Sequence, residues 1–132
     1  MTTFFPSAPV GDATRGTVLK QNSSTVTLAA GDTFTGSWED VTKFASVNVT
    51  VKSNAASASG GFCFEFGCDL DGTAETVHKD TYVGPGLMVR AFDCYAPYFR
   101  VVYVNGSTQQ TSFILKCKGN THLAGGGGTP PV

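Results

Sequence analysis

The chain has 132 residues, with 9 Lys and Arg against 10 Asp and Glu, and charged residues make up only 14% of it. That length suits one domain built around one core and excludes a second full domain, while 41% hydrophobic residues at a net charge of -1 exclude the composition of a disordered protein. The absence of a basic excess argues against nucleic acid as the main ligand and against polybasic attachment to a membrane.

Charge is replaced by 17 Thr, 10 Ser, 16 Gly and 10 Phe. Thr and Phe favour strands and Gly and Ser favour turns, so composition points to an all-β domain. In chain order, residues 1–16 mix Pro, Gly, Ser and Thr without a period and read as an arm. They lack a basic segment followed by an apolar run, so no secretory signal is expected, and no stretch approaches the ~18 apolar residues of a membrane span. Synthesis in a cytosol and no membrane insertion are the expectations. Short strands are predicted at 17–20, 25–29 and 33–38. Residues 45–52 alternate apolar and polar without a break, the pattern of a strand with one buried and one wet face. A turn is expected over 54–61, then a strand that stacks Phe62, Phe64 and Phe66 on one face and puts Cys63 and Glu65 on the other. Strands at 75–83 and 86–92 flank Gly84-Pro85-Gly86. Residues 98–104 are apolar on nearly both faces, as in a central strand covered on each side or facing a partner subunit. Residues 111–118 send Phe113, Leu115 and Cys117 inward and Lys116 and Lys118 outward, with Ile114 an apolar exception on the outer face. Asp71-Gly72 and Asn105-Gly106 supply hairpin turns. Residues 120–132 form a Gly/Pro-rich tail. Many short strands with turns every 8 to 15 residues predict an antiparallel β-sandwich of jelly-roll type over residues 17–119, flanked by extended N- and C-terminal arms, and no amphipathic helix is apparent.

Few residues gather in patterns that carry chemistry. Cys63, Cys68, Cys94 and Cys117 allow three disulfide pairings, but a cytosolic origin favours free thiols, and a single close pair is a poor start for a zinc site. Asn22, Asn48 and Asn105 head glycosylation sequons that matter only in a secretory pathway. Asp69, Asp71 and Glu75 around Gly72 suggest a calcium loop but lack the spacing of an EF-hand. His78 and His122 are too far apart in sequence to form a helical or hairpin metal pair, and Cys94 with His78 lacks an activating neighbourhood. Glu39 and Asp40 are neighbours on a strand and so point to opposite faces. Trp38, Tyr95 and Tyr98 could form an aromatic platform for a sugar, although rings more often pack in cores and interfaces.

The run of landmarks is more telling. Asn22-Ser23-Ser24-Thr25 and Leu28-Ala29-Ala30-Gly31 are followed by Phe34-Thr35-Gly36-Ser37-Trp38-Glu39-Asp40-Val41 and the alternating strand at 45–52. Phe64-Glu65-Phe66 then precedes Asp71-Gly72, and Tyr98-Phe99-Arg100-Val101-Val102-Tyr103-Val104-Asn105-Gly106 closes the series. From Asn22 to Cys117 this order resembles a small β-sandwich module of virion structural and tail-associated proteins of tailed phages and other large DNA viruses. Where that family shows Ser-x-Asp-Gly after its Phe-rich strand, this chain has Gly67-Cys68-Asp69-Leu70-Asp71-Gly72, and four cysteines are not typical of it. The resemblance implies a part in building or decorating a particle and no catalytic residues. The expected function is therefore a non-enzymatic virion component, made in the host cytoplasm, that packs against other virion proteins as a homo- or hetero-oligomer. The alternative is a module on a virion surface or fibre that binds a carbohydrate or host receptor. No metal, cofactor or nucleic acid is expected. The residues expected at an interface or ligand contact are Trp38, Tyr95, Tyr98, Arg100, Val102, Val104 and Ile114. Scarce charge on the outer face of the 98–104 strand also implies that much of this surface does not face water in the working state.

Overall fold

A computed structural model of the chain describes residues 16–69 and 73–123. Both arms, apart from Gly16 and residues 120–123, and Leu70-Asp71-Gly72 at the centre of the Asp69 to Glu75 turn lie outside the described residues. Within them run β1 (Thr17–Val18), β2 (Thr33–Thr35), β3 (Glu39–Asp40), β4 (Ser46–Ser53), β5 (Ser57–Gly67), β6 (Thr76–Asp80), β7 (Met88–Asp93), β8 (Tyr98–Asn105) and β9 (Phe113–Asn120). The helical content described is a single 3-10 turn over Lys20–Asn22.

The strands form two antiparallel sheets, one ordered β1-β9-β4-β7 and the other β2-β8-β5-β6, with β3 also paired to β8. If β2 and β3 are taken as one interrupted strand, each sheet has four strands. Every connection then crosses from one sheet to the other except the β5–β6 hairpin, which is the winding of a jelly roll. The expected fold class is thus the observed one.

The core follows from strand alternation. Val47, Val49 and Val51 on β4 are fully buried and face Phe62, Phe64 and Phe66 of β5 and Phe99, Val101 and Tyr103 of β8, while Phe113, Leu115 and Cys117 of β9 complete the layer. Rings meet in tilted or edge-on pairs, Phe62 with Phe64 at 4.5 Å, Phe66 with Phe99 at 4.9 Å and Tyr103 with Phe113 at 5.0 Å between centroids. Such offset geometry suits the ring quadrupoles.

Three expected elements are corrected. Residues 25–29 do not form a strand, because scattered side-chain and backbone partners satisfy their backbone in place of a neighbouring ladder. Leu28 N–H donates to Gln110 Oε1 at 2.8 Å and the Leu28 carbonyl accepts from Gln110 N–H at 3.0 Å. The strand expected over 33–38 stops at Thr35 and resumes as β3, because Gly36 must pass directly over Asn22. A Cβ at Gly36 would sit 2.0 Å from Asn22 Oδ1. The turn expected over 54–61 is shorter, since β5 already begins at Ser57. The glycines there serve a bulge rather than a loop: Gly60 has φ of 65° and the register with β8 shifts between Ser57 and Phe62.

Asn22 ties these parts together. It is fully buried, donates from Nδ2 to the Ser37 carbonyl at 2.9 Å and to Glu39 Oε2 at 2.8 Å, and accepts Val101 N–H at 2.7 Å. Its Oδ1 thereby satisfies a β8 donor at the point where the β2–β3 strand is interrupted.

Candidate interaction surface

The outer face of the β2-β8-β5-β6 sheet gathers most of the residues singled out in the sequence. On β8, Tyr98, Arg100, Val102 and Val104 point outward, opposite the buried Phe99, Val101 and Tyr103. Register places Arg100 beside Glu65 and Val102 beside Cys63 on β5. Thr35 and Thr33 of β2 lie beside Val102 and Val104 on the other side. All four β8 side chains are half-buried by these neighbours alone.

Trp38 lies across this face. The Arg100 guanidinium sits 4.5 Å from its ring centroid, and a Cβ at Gly67 would meet the Thr73 carbonyl at 2.8 Å and the indole edge at 3.2 Å, so the missing side chain there lets both come close to the strand. Arg100 Nε also pairs with Glu65 Oε1 at 2.7 Å, with the side chains 23% and 15% exposed. The pair is shielded but not desolvated, and together with the cation–π contact it fixes both Trp38 and Arg100. A ring face already covered by a guanidinium cannot also stack on a sugar.

Tyr95 and Ile114 lie elsewhere. Tyr95 is 57% exposed, its ring 4.8 Å from the inward-facing Phe66, and its hydroxyl is 2.6 Å from His78 Nε2. His78 stacks in turn on Phe92 at 4.9 Å. Trp38 and Tyr95 therefore approach the end of β5 from opposite faces and do not form one platform. Ile114 is 48% exposed on the outer face of the other sheet. Sequence reasoning missed the Glu65 partner of Arg100 and the His78–Tyr95 contact. The first was legible as a polar residue on the outer face of the Phe-rich strand, but the second depends on which strands become edges.

The remaining chemical candidates are dispersed. Glu39 turns inward to Asn22 whereas Asp40 turns outward to accept from Thr42 N–H at 2.8 Å, as neighbours on a strand must. Asn22 and Asn105, two of the sequon asparagines, are buried. All four cysteines are free. Burial and then the adjacent Asp93 push the Cys94 thiol up to about 11, burial drives Cys117 well above its ordinary value, and burial also raises Cys63. These thiols stay protonated near neutrality and are poor nucleophiles. Among the described residues no three His, Cys, Asp or Glu side chains gather to hold a metal ion, and no helix is long and apolar enough to cross a membrane. A groove of about 700 Å³ at the Gly31 and Gly106 loops is lined by Ala, Gly, Ser, Val and Asn, with no ionisable group.

Comparison with known proteins adds a family and a fold. The family model described as "Uncharacterised protein YqxG N-terminal domain" matches residues 12–119. Comparison with curated proteins finds no match. Among solved structures, the PBSX exported protein XepA is similar with a TM-score of 0.63 and 16% sequence identity, over 87% of this chain and 41% of that one. The chain thus spans less than half the length of that structural neighbour, and likeness at this identity speaks for the fold.

Proposed function

The chain belongs to the YqxG N-terminal domain family, and from that premise we propose that it is a non-enzymatic structural component of a phage or phage-like particle, packing against neighbouring subunits. The structural neighbour is an exported protein of phage PBSX, which supports a phage-associated role. The observation that carries the reading is the outer face of the β8 sheet. Its central Val102 and Val104 are uncharged and its Arg100–Glu65 pair is satisfied internally, so covering this centre desolvates little unpaired charge, while Lys79 stands exposed at the β6 edge beside Cys63. Among the described residues the dispersed carboxylates, histidines and buried thiols do not bring a nucleophile, base and orienter together. The alternative of a sugar-binding module has less support, because one face of the Trp38 ring is covered by Arg100 and the ring does not meet Tyr95.

Mass spectrometry of gradient-purified particles, with light scattering of the isolated chain, tests this. The chain should be found in particles, and Val102→Glu should reduce its incorporation while leaving the thermal midpoint of the free chain nearly unchanged. A monomeric chain absent from particles would overturn the reading.

A further inference from the structure

The other sheet has a different outer face. Strand alternation points Lys116 and Lys118 of β9, Lys52 of β4, Val18 of β1 and Val89 of β7 to the same side as Ile114. Lys118 sits between Val18 and Asn48, Lys116 beside Thr50 with Val89 next along, and Ile114 directly beside Lys52. Neighbouring lysines on this lattice are roughly 7 Å apart, inside the ~8 Å over which physiological salt screens charge. None of the three has an ion pair among the described residues. The one acidic strand residue on this side is Asp93, at the far corner opposite Ser46.

Beside this basic face stands the 81–87 loop, which carries two of the most exposed apolar side chains described, Val83 at 75% and Leu87 at 63%. The loop is held firmly. Tyr82 is 1% exposed, its hydroxyl accepts Ser53 N–H at 2.9 Å and lies 2.6 Å from the Gly86 carbonyl, and its own N–H donates to Ser57 Oγ at 2.9 Å. Between loop and sheet runs a groove of about 370 Å³ lined by Lys52, Ser53, Asn54, Pro85, Ser112 and Ile114. Apolar anchors are thus preorganised next to three lysines that have no ion pair among the described residues.

We propose that this face docks an acidic polypeptide segment of a partner protein, with an apolar side chain in the Ile114–Pro85 groove and carboxylates over Lys52, Lys116 and Lys118. The charge pattern selects the occupant. A second copy pairing through the same face would set lysine against lysine, and a phosphate backbone offers nothing for Val83, Leu87 and Ile114 to cover. Apolar contact at the groove would supply affinity, and the lysines would supply steering and register. The inference gives one partner of the proposed structural component a chemistry, and it rests on the reading of the chain as a particle component that packs against other proteins.

The test is selection of a random displayed peptide library on the immobilised full chain, followed by fluorescence anisotropy with a recovered peptide. Recovered sequences should be enriched in Asp and Glu around an aliphatic or aromatic residue. Binding should fall by about tenfold or more in the Lys52→Glu/Lys116→Glu double variant, fall on adding salt, and fall in Leu87→Ser. Val102→Glu, on the opposite sheet, should leave it unchanged. Peptides without acidic enrichment, or affinity indifferent to the lysine reversals at an unchanged melting temperature, would overturn the proposal. So would lysine-dependent binding to phosphatidylserine–phosphatidylcholine vesicles with no peptide recovered. Failure here with the chain still present in purified particles defeats this inference alone, whereas absence from particles defeats the proposed function.

Discussion

Asn22 is the residue on which the winding depends most visibly. Its amide makes three hydrogen bonds that join the 3-10 turn, the interrupted β2–β3 strand and β8, all without access to water. Asn22→Ala leaves the Val101 N–H and the Glu39 carboxylate without this partner, and is expected to cost about 2–4 kcal/mol of unfolding free energy. Urea denaturation measures it, and a loss near that of an exposed substitution would show that the network is dispensable. The cysteines allow a second check at this scale. Cys68 is exposed, while Cys94 and Cys117 are held protonated by burial. A thiol reagent at neutral pH should modify Cys68 rapidly and Cys117 only after unfolding. Equal rates for the two in the native protein would contradict the assigned burial.

At the scale of elements, the two edge strands β6 and β7 lie on the same side of the sandwich, one from each sheet, and side chains join them. Arg90 of β7 pairs with Asp80 of β6 at 2.5 Å, and His78 of β6 stacks on Phe92 of β7. Partial burial works to raise the Asp80 carboxyl pKa, but the Thr81 N–H and Arg90 outweigh it, so the folded pKa lies below the ordinary 3.8. A carboxylate depressed in this way stabilises the fold above its unfolded pKa and loses that contribution as pH falls through the folded value. The pair is well exposed, so the effect is on the order of a few tenths of a kcal/mol. Melting temperatures of the protein and of Asp80→Asn should differ near pH 6 and converge below about pH 3. A gap that persists in acid would show that Asn disturbs packing rather than charge.

The long strands were legible because their alternation is strict. Residues 47–53 bury every second side chain as the sequence pattern requires, and Phe62, Phe64 and Phe66 fall together on the core face. Short or side-chain-supported segments were not legible. Residues 25–29 have strand composition, but Leu28 bonds the side chain and backbone of Gln110, more than 80 positions away, which no local pattern announces. The glycines at 60 and 61 read as a loop although they build a bulge inside β5, since the positive φ of Gly60 suits a turn as well as a bulge. Of the seven surface candidates, Tyr98, Arg100, Val102 and Val104 share one face of β8 by simple alternation. Whether that face would be crossed by Trp38 was a matter of tertiary contact. The lysines of β9 were seen as outward-facing, but their union with Lys52 required the β4–β9 register.

For the whole molecule, the outer faces of a closed jelly roll are what remains for other molecules to meet: one sheet is nearly neutral around a satisfied ion pair, and the other is basic beside a rigid apolar loop. The two differ enough to meet different neighbours, which suits a component placed between unlike partners. The most direct measurement is an electron cryomicroscopy reconstruction of gradient-purified particles. The account predicts density that accommodates this jelly roll with Val102, Val104 and Trp38 covered by a neighbouring subunit. Particles containing no such density, or a jelly roll whose β8 face stands open to solvent, would contradict it.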